Sequence, residues 1–386
     1  MIGLDLLFGP QDTVDGTQIV FRVFPRKGRA RWMLEKHYRR PWHLKTWPRA
    51  NARARIIYQM AWSLSWLGLH LPSRCMSVVV SGDSPYAQLR RKFDNIGIFL
   101  GTPGANRKIV VFAERPDRSV FVKIPLTPKS AALTRNEMAA LSQLAEDPAL
   151  ASMVPKVSLF AGHLGVDNIE RDGAIYGELS VTEVERVHNI LFIRSHITKN
   201  LQEIRVNWAE EALDGGTHAI THPKEIVKLL AETRAAAEHF LDCLPAGPVK
   251  CYMAHGDFTR WNVLVTSGGA ARVIDWELYG LRPRYFDLIH YFVSFDILIK
   301  RRGAKDILAH LEKIRQRLIN ELPATGNWLR YIGLYFACQA LHYTELYEQQ
   351  AALHAQGRWQ LYTWRDALAI VQKQLTETAE LDPEGE

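Results

Sequence analysis

Apolar residues follow two different spacings along the chain, and the change from one to the other divides it into two lobes. Between residues 95 and 125 short apolar runs are separated by turn sequences, a pattern that predicts a small antiparallel sheet. Helical spacing follows over residues 130–146, and two more strand candidates cover residues 154–162 and 174–182. Beyond residue 183 the spacing is mostly helical. We therefore predict an α+β fold with a small antiparallel-sheet lobe carrying one helix and a large, mostly helical lobe.

Residues 53–74 have a helical pattern with apolar residues on two sides. The first stripe consists of Ile56, Ile57, Met60, Leu64, Leu67 and Leu71, and the second of Tyr58, Trp62, Trp66 and Leu69. One stripe can pack on the rest of the protein. The other needs a second helix from residues 20–50, a dimer partner or a membrane interface, where Trp and Arg are favoured. We expect a basic, Trp-rich, helical N-terminal extension over residues 1–94, with peripheral membrane contact through residues 20–74 as one role.

The composition is that of a folded protein, because 47% of the 386 residues are hydrophobic and 23% are charged. The four cysteines are far apart and form no CxxC pair, so we expect neither a disulfide framework nor a cysteine zinc site. The N-terminus has no basic stretch followed by an apolar core, and no apolar run reaches the ~18 residues of a membrane span. We expect a cytoplasmic protein or one located peripherally at the inner face of the membrane.

The net charge of +7 is unevenly distributed. Residues 1–94 contain 16 Lys and Arg against 6 Asp and Glu, whereas the remaining residues contain 32 against 35. The body of the protein is therefore slightly acidic, and we expect no specific nucleic-acid partner. The basic segment predicts a surface for targeting or for presenting a substrate.

A predicted hairpin in the second half of the chain brings polar residues together. Two strand-like segments flank Gly268-Gly269, a pair typical of a two-residue turn. With these glycines as the loop, Asn262 lies opposite Asp275, and such side chains have Cβ atoms about 4.5–5.5 Å apart. Amide and carboxylate oxygens suit Mg²⁺, and Asp257, on the preceding loop, could accept a proton from a hydroxyl. The alternative is an ordinary polar pair with a turn-capping Asp257.

The sequence His255-Gly-Asp257-x-x-x-x-Asn262, followed by Ile-Asp275-Trp-Glu277, resembles a motif of known enzymes. It is similar to the Brenner-type motif and metal-binding aspartate of aminoglycoside phosphotransferases and choline kinase-like enzymes. Because these are relatives of protein kinases, the resemblance implies a two-lobed, protein-kinase-like fold. It implies Asp257 as the catalytic base and Asn262 and Asp275 as ligands of Mg²⁺.

The same resemblance implies supporting roles for two further residues. His255 would support the catalytic loop, and Asp287 would anchor it. For Asp287 an acid at a helix N-terminus is an equally good interpretation.

A lysine and an acid in the predicted small lobe explain each other. Lys123 lies in a strongly β-forming run, where an unpaired charge is costly. Glu137 lies in the middle of the apolar stripe of the following helix, where an acid needs a cation. We predict that the two pair and bind the nucleotide phosphates, as a kinase-like site requires. The alternative is a lysine that extends from a strand edge and a glutamate at the helix border.

The loop between the first two predicted strands, Gly101-Thr-Pro-Gly-Ala-Asn-Arg-Lys108, is rich in glycine and ends on two cations. Its backbone N–H groups could hold phosphates together with the candidate cofactor-binding residues Thr102, Gly104, Arg107 and Lys108. A plain β-hairpin is the alternative. The GTPGxxRK sequence resembles that of phosphotransferase proteins of bacterial polysaccharide clusters, which implies polysaccharide biosynthesis as the setting.

Two segments of the large lobe are candidates for contact with an acceptor. These are residues 207–211, which include Trp208 and two glutamates, and the aromatic residues Trp359, Tyr362 and Trp364. A solvated acidic helix face and a core aromatic cluster are the respective alternatives.

Together these features predict a phosphotransferase that uses ATP and Mg²⁺ to phosphorylate a hydroxyl of a small molecule, first of all a sugar or glycan intermediate. An aminoglycoside or choline-like amine kinase is one alternative, and a nucleotide-binding pseudokinase scaffold in membrane glycan assembly is another. Phe121, where protein kinases usually carry alanine, leaves the choice between ATP and GTP open. We expect a nucleotide-binding small lobe over residues 95–182 and a catalytic and acceptor-binding large lobe over residues 183–386.

Overall fold

The computed structural model describes residues 3–11, 15–46, 52–69, 71–104, 106–172, 174–204, 222–245, 247–318, 325–350 and 353–381. The chain forms two compact units. The first unit comprises Met1–Tyr176, Leu264–Gly268 and Arg272–Glu277. The second comprises Gly177–Val263, Gly269–Ala271 and Leu278–Glu386.

The first unit is built on an eight-stranded sheet in which all neighbouring strands are antiparallel. Its strands are β1 (Thr17–Phe24), β2 (Trp32–Glu35), β3 (Arg74–Val80), β4 (Asn95–Phe99), β5 (Lys108–Arg115), β6 (Arg118–Pro125), β7 (Val157–Phe160) and β8 (His163–Asp167). Their order in the sheet is β3-β1-β2-β4-β5-β6-β8-β7. A second, small sheet has the order β13-β12-β9, with β9 at Ile175–Tyr176, β12 at Val263–Val265 and β13 at Ala271–Val273.

The helices of the first unit include α1 (Leu4–Phe8), α2 (Ala52–Trp66), α3 (Pro85–Lys92), α4 (Pro128–Glu146) and α5 (Pro148–Ala151), with 3₁₀ helices at Trp42–Thr46 and Ile169–Asp172. Helix α4 begins at a capping box. The Thr127 side chain accepts a hydrogen bond from the Ser130 N–H, and the Ser130 hydroxyl accepts one from the Thr127 N–H. This start fixes which residues of α4 face the sheet. Leu133, Ala140, Leu141 and Leu144 are buried there, and Glu137 is buried among them.

The expectation of a separate helical extension over residues 1–94 needs correction. Helix α2 is present where a helix was predicted, but the same segment also supplies β1, β2 and β3 to the sheet. Phe21 and Val78 belong to one hydrophobic core with Val111 and Val122. The strands were missed because the many arginines and tryptophans of residues 20–94 made the segment look like a separate basic element. In β1 the buried residues Ile19, Phe21 and Val23 nevertheless alternate as in a strand.

The predicted strands at 154–162 and 174–182 also differ from the observed ones. The first candidate contains only β7, which turns through Ala161 and Gly162 into β8. Of the second, Ile175 and Tyr176 form a strand, and they pair with β12 instead of the main sheet. A glycine at φ +78 makes the turn at residue 162, which the continuous apolar spacing of the sequence hides.

The second unit is mostly helical, as predicted. It contains α6 (Val181–Ser195), α7 (Lys224–Cys243), α8 (Phe286–Leu298), α9 (Ala304–Arg315), α10 (Thr325–Glu348) and α11 (Ala355–Leu381). A three-stranded sheet of order β10-β11-β14 accompanies them, with β10 at Ile197–Asn200, β11 at Pro248–Ala254 and β14 at Gly280–Pro283. Helix α8 is buried along most of its length. Within the ranges given above, no helix is both long and apolar enough to cross a membrane.

Candidate active site

The first unit buries an ion pair between its sheet and helix α4. Lys123 lies on β6, and its Nζ atom is 2.7 and 2.6 Å from Oε1 and Oε2 of Glu137. Lys123 is 9% exposed and Glu137 is fully buried. The ion pair predicted between Lys123 and Glu137 is therefore present. Both carboxylate oxygens are held by the ammonium group, so the lysine has one fixed position.

Asp275 completes this cluster. It lies two residues after the end of β13 and adopts a left-handed backbone conformation at φ +67. Its Oδ1 atom lies 2.8 Å from Nζ of Lys123. Burial by itself would lower the pKa of Lys123, but the neighbouring carboxylates of Asp275 and Glu137 outweigh it and raise the pKa above its ordinary value. Lys123 is thus a permanently charged group held between two acids.

Glu277 is a functional candidate to which the sequence analysis assigned no role. It forms an ion pair with Lys108, and its backbone carbonyl accepts a hydrogen bond from Asn136. Burial, reinforced by the negative charge of Asp275, raises the pKa of Glu277 to about 7. Oxygen atoms of Glu137, Asp275 and Glu277 lie within 4.8 Å of one another, which is a set that could hold a cation. The sequence signal for this role was the position of Glu277 two residues after Asp275.

The glycine-rich loop before β5 begins with a close backbone contact to that strand. Gly101 has φ +77, and a Cβ there would lie 2.3 Å from the carbonyl oxygen of Lys108. Nη2 of Arg31 lies 3.3 Å from Oγ1 of Thr102, so the N-terminal segment contributes a cation to this loop. Burial and the nearby Arg29 lower the pKa of Arg107. Binding of a phosphate by Thr102, Gly104, Arg107 and Lys108 stays a prediction.

In the second unit a single carboxylate shapes the loop around Asp257. Oδ2 of Asp287 accepts from the His255 N–H at 2.7 Å, and Oδ1 accepts from the Gly256 N–H at 3.0 Å. Nδ1 of His255 in turn accepts from the Asp257 N–H at 3.1 Å. These bonds give Asp287 and His255 the loop-holding positions that the resemblance implied.

Asp257 is held from two sides. Its Oδ2 atom accepts from Nδ2 of Asn262 at 2.9 Å, and its Oδ1 atom lies 3.0 Å from Nε2 of His290. His290 was missed in the sequence because it lies 33 residues further along the chain. It shares one face of α8 with Asp287, three residues before it, so one helix positions both groups.

Asp257 also lines a cavity of about 160 Å³ in the second unit. The wall consists of Asp257, Trp261, His290, Ser294, Ile297, Leu298, Tyr335, Gln339, Tyr343, Gln360 and Trp364. Four Trp and Tyr side chains and two amides line this space, and among the described residues Asp257 is the acid of the wall. Trp364, one of the candidate acceptor residues, is part of it. The other candidate segment, residues 207–211, lies outside the described residues.

A sequence model described as the phosphotransferase enzyme family matches residues 104–322, which is more than half of the chain. The chain belongs to the phosphotransferase enzyme family. The α+β, protein-kinase-like fold expected of this phosphotransferase is the one observed, with a sheet-based unit and a mostly helical unit. The family resemblance read from His255 to Glu277 is thereby confirmed.

Solved structures similar to this phosphotransferase include several small-molecule kinases. Choline kinase LicA from Streptococcus pneumoniae is 18% identical, with 68% of this chain and 89% of that chain covered and a TM-score of 0.43. An ethanolamine kinase of Plasmodium vivax is 12% identical, with 86% and 94% covered and a TM-score of 0.42. No curated protein matches the phosphotransferase.

The predicted site residues thus form two groups. In the first unit the structure brings Lys123, Glu137 and Asp275 together, and in the second it brings Asp257 and Asn262 together. The position of Asn262 opposite Asp275 across the hairpin stays a prediction, as do the catalytic and ligand-binding roles of all five residues.

Proposed function

We propose that this phosphotransferase transfers the γ-phosphoryl group of ATP to a hydroxyl of a small molecule, with a neutral sugar or glycan intermediate as the acceptor. The observation that supports this most is the arrangement of Lys123, which is fixed by Glu137 and paired with Asp275. Such a buried, permanently charged lysine is what phosphate binding by a kinase-like site requires. We also propose a cytoplasmic location, because the cytoplasm supplies ATP.

In this reaction Lys123 binds phosphate oxygens of ATP, and Glu137 keeps its ammonium group in place. The glycine-rich loop with Arg107 and Lys108 contributes further positive charge near the phosphates. Alignment and charge neutralisation account for most of the rate in phosphoryl transfer, so the fixed geometry of Lys123 is the main contribution of the first unit.

The acidic and amide side chains present fit a Mg²⁺ ion. Asp275 offers a carboxylate, and the Asn262 side chain engages Asp257 through Nδ2, so its carbonyl oxygen is the atom we propose as a ligand. Glu277 is a further oxygen donor near Asp275. When bound, the ion would neutralise the negative charge that develops on the phosphates.

Asp257 accepts the proton of the acceptor hydroxyl. The acceptor oxygen then forms a bond to the γ-phosphorus while the bond to the bridging oxygen of ADP breaks, and the proton remains on Asp257 until it is released to solvent. His290 and Asn262 hold the two carboxylate oxygens, so Asp257 keeps one orientation toward the cavity.

The cavity supports a neutral acceptor. The described residues of its wall include no lysine or arginine, which disfavours an acceptor that already carries a phosphate or carboxylate group. Aromatic faces and the amides Gln339 and Gln360 are groups that contact sugar rings and hydroxyls. The volume of about 160 Å³ is below that of pockets for drug-sized ligands, so a single small ring fits better than a large ligand.

A choline-like amine is the second candidate. A quaternary ammonium group binds to aromatic faces, and Trp261, Tyr343 and Trp364 provide such faces beside the carboxylate of Asp257. An aminoglycoside fits this cavity less well. Its several ammonium groups would need several carboxylates, whereas the described wall offers that of Asp257.

The test is transfer of radiolabelled phosphate from ATP with Mg²⁺ to a panel of neutral sugars, amino sugars, choline-like alcohols, aminoglycosides and glycolipid extracts. We expect one class of neutral sugar to be labelled and the labelling to fall at least about 10³-fold in Asp257→Asn. Asp306→Asn, an exposed aspartate of the same unit, is the matched control and should retain full activity. Labelling of choline-like alcohols alone would favour the amine kinase. Nucleotide binding without transfer to any acceptor, unchanged in Asp257→Asn, would favour the pseudokinase scaffold.

A further inference from the structure

Helix α2 of the first unit exposes a row of large apolar side chains. Ile56 is 55% exposed, Met60 58%, Leu64 39% and, just beyond the helix end, Leu67 75%. Their spacing of four, four and three residues places them in one line along the helix. Trp66 and Leu69 are exposed next to this line. We call Ile56, Met60, Leu64 and Leu67 the apolar row.

The apolar row is a true outer surface, because the opposite side of α2 is packed. Ala61 and Ser65 are buried. Trp62 packs against the core of the first unit, with its ring 5.3 Å from that of Trp42 in an edge-to-face contact. Of the two predicted stripes, Trp62 of the second and Leu71 of the first therefore pack on the protein. The apolar row of the first stripe and Trp66 and Leu69 of the second are exposed.

The segment around α2 is strongly cationic. Residues 20–74 contain thirteen Lys and Arg and a single acid, Glu35. Glu35 is 2% exposed, and its carboxylate accepts from Tyr86 and pairs with Arg90, so it offers no negative charge to a partner. Two of the cations lie beside aromatic rings of α2: Arg40 is 4.6 Å from the Trp66 ring, and Lys45 is 5.5 Å from the Trp62 ring.

We propose that the apolar row inserts into the surface of an anionic lipid bilayer and that the surrounding cations bind the lipid headgroups. An exposed apolar line flanked by Lys, Arg and Trp is the arrangement of helices that lie in the membrane interface. Each cation near an anionic membrane surface strengthens the binding. This proposal gives the membrane contact expected from the sequence a defined surface, the apolar row. It is independent of the proposed transfer reaction.

The charge around the apolar row favours a lipid bilayer over a second copy of the chain as the partner of this surface. A symmetric dimer through the apolar row would bring the two cationic segments against each other, with no exposed acid in either to offset the repulsion. An anionic bilayer supplies the opposite charge over the whole area. A lipid surface is therefore the better match.

The experiment is co-sedimentation of the full chain with vesicles of equal parts phosphatidylcholine and phosphatidylglycerol, compared with pure phosphatidylcholine. We expect binding to the anionic vesicles, weakened by salt, and at least about tenfold weaker binding in Met60→Gln with Leu64→Gln. Ser63→Gln, an exposed neighbour of the apolar row, is the matched control and should change binding less than about twofold. Arg40→Gln with Lys45→Gln should weaken binding and reduce its dependence on salt.

Three results would overturn the proposal. The folded wild-type chain could remain in the supernatant with anionic vesicles, or Met60→Gln with Leu64→Gln could bind as well as Ser63→Gln. Light scattering could instead show a dimer that only the Met60 and Leu64 substitutions dissociate, which would assign the apolar row to a second copy. Far-UV circular dichroism of each variant checks the fold. Transfer assays with a soluble acceptor should be unaffected by these variants, which keeps this test separate from that of the catalytic proposal.

Discussion

Nε2 of His290 lies 3.0 Å from Oδ1 of Asp257, while the other ring nitrogen of His290 lies 3.1 Å from Nε2 of Gln339. Because the Gln339 amide nitrogen is a donor, Nδ1 of His290 accepts and Nε2 carries the proton that is donated to Asp257. His290 is thus a positioning residue for the proposed catalytic base.

Replacing His290 should therefore affect the transfer step more than nucleotide binding. We expect His290→Ala to lower kcat roughly 10- to 100-fold, because Asp257 loses its orientation, with less than about a twofold change in KM for ATP. His290→Gln keeps a donor and should recover part of kcat. Steady-state kinetics separate the two effects, and a kcat equal to wild type in His290→Ala would contradict the role.

Glu137 should be essential for both stability and nucleotide binding. In Glu137→Gln the buried Lys123 loses one of its two carboxylate partners, so we expect a loss of roughly 3 kcal/mol in the free energy of unfolding and a higher KM for ATP. Asp117→Asn removes an acid whose side chain is 69% exposed and should cost less than about 1 kcal/mol. Urea unfolding of both variants makes the comparison. Equal losses would show that the buried pair contributes no more than the surface pair.

Gly256 should tolerate no side chain. It has φ +84, and a Cβ would lie 2.3 Å from the carbonyl oxygen of Leu278, so Gly256→Ala must displace the loop that carries Asp257. We expect a loss of about 1–3 kcal/mol in stability and a large fall in kcat. Gly268→Ala is the control, because its nearest neighbour would be Oγ1 of Thr266 at 3.9 Å. The melting temperature and kcat of Gly268→Ala should be close to those of the wild type. An equally small effect of Gly256→Ala would contradict the proposed clash with Leu278.

His188 should make the protein sensitive to acid. It is buried on α6 against the edge of the Tyr252 ring, and burial, followed by the nearby Arg284, lowers the pKa of His188 to about 3. His188 binds a proton near pH 6.5 in the unfolded chain and near pH 3 in the folded chain. The contribution of the neutral, buried His188 to the free energy of unfolding is therefore complete above pH 6.5 and declines as the pH falls from 6.5 toward 3. The loss at pH 5 relative to pH 8 should be about 2 kcal/mol.

His188→Phe should flatten this part of the stability profile, since it keeps an aromatic ring and removes the titrating group. Urea unfolding at pH 5 and pH 8 measures the effect, with the exposed His354→Phe as the control. A profile in His188→Phe that is as steep as in wild type would assign the acid sensitivity to other groups.

Local pattern was enough to predict several parts of the molecule. The helix with Glu137 in its apolar face, the strand with Lys123 and the two strands of the hairpin are each encoded within about twenty consecutive residues, where apolar spacing acts directly. The pairing of Lys123 with Glu137 could be predicted because a buried charge requires a partner, and the neighbouring helix offered one.

The sequence by itself thus determined the two strands of the hairpin, the pairing of Lys123 with Glu137 and the family. Tertiary structure alone decided that residues 17–80 contribute three strands to the main sheet, that His290 lies beside Asp257, and that the apolar row of α2 is exposed whereas Trp62 is packed. The physical reason is distance along the chain. Strand pairing and side-chain contact between remote segments depend on how whole elements pack, which no local spacing of apolar residues specifies.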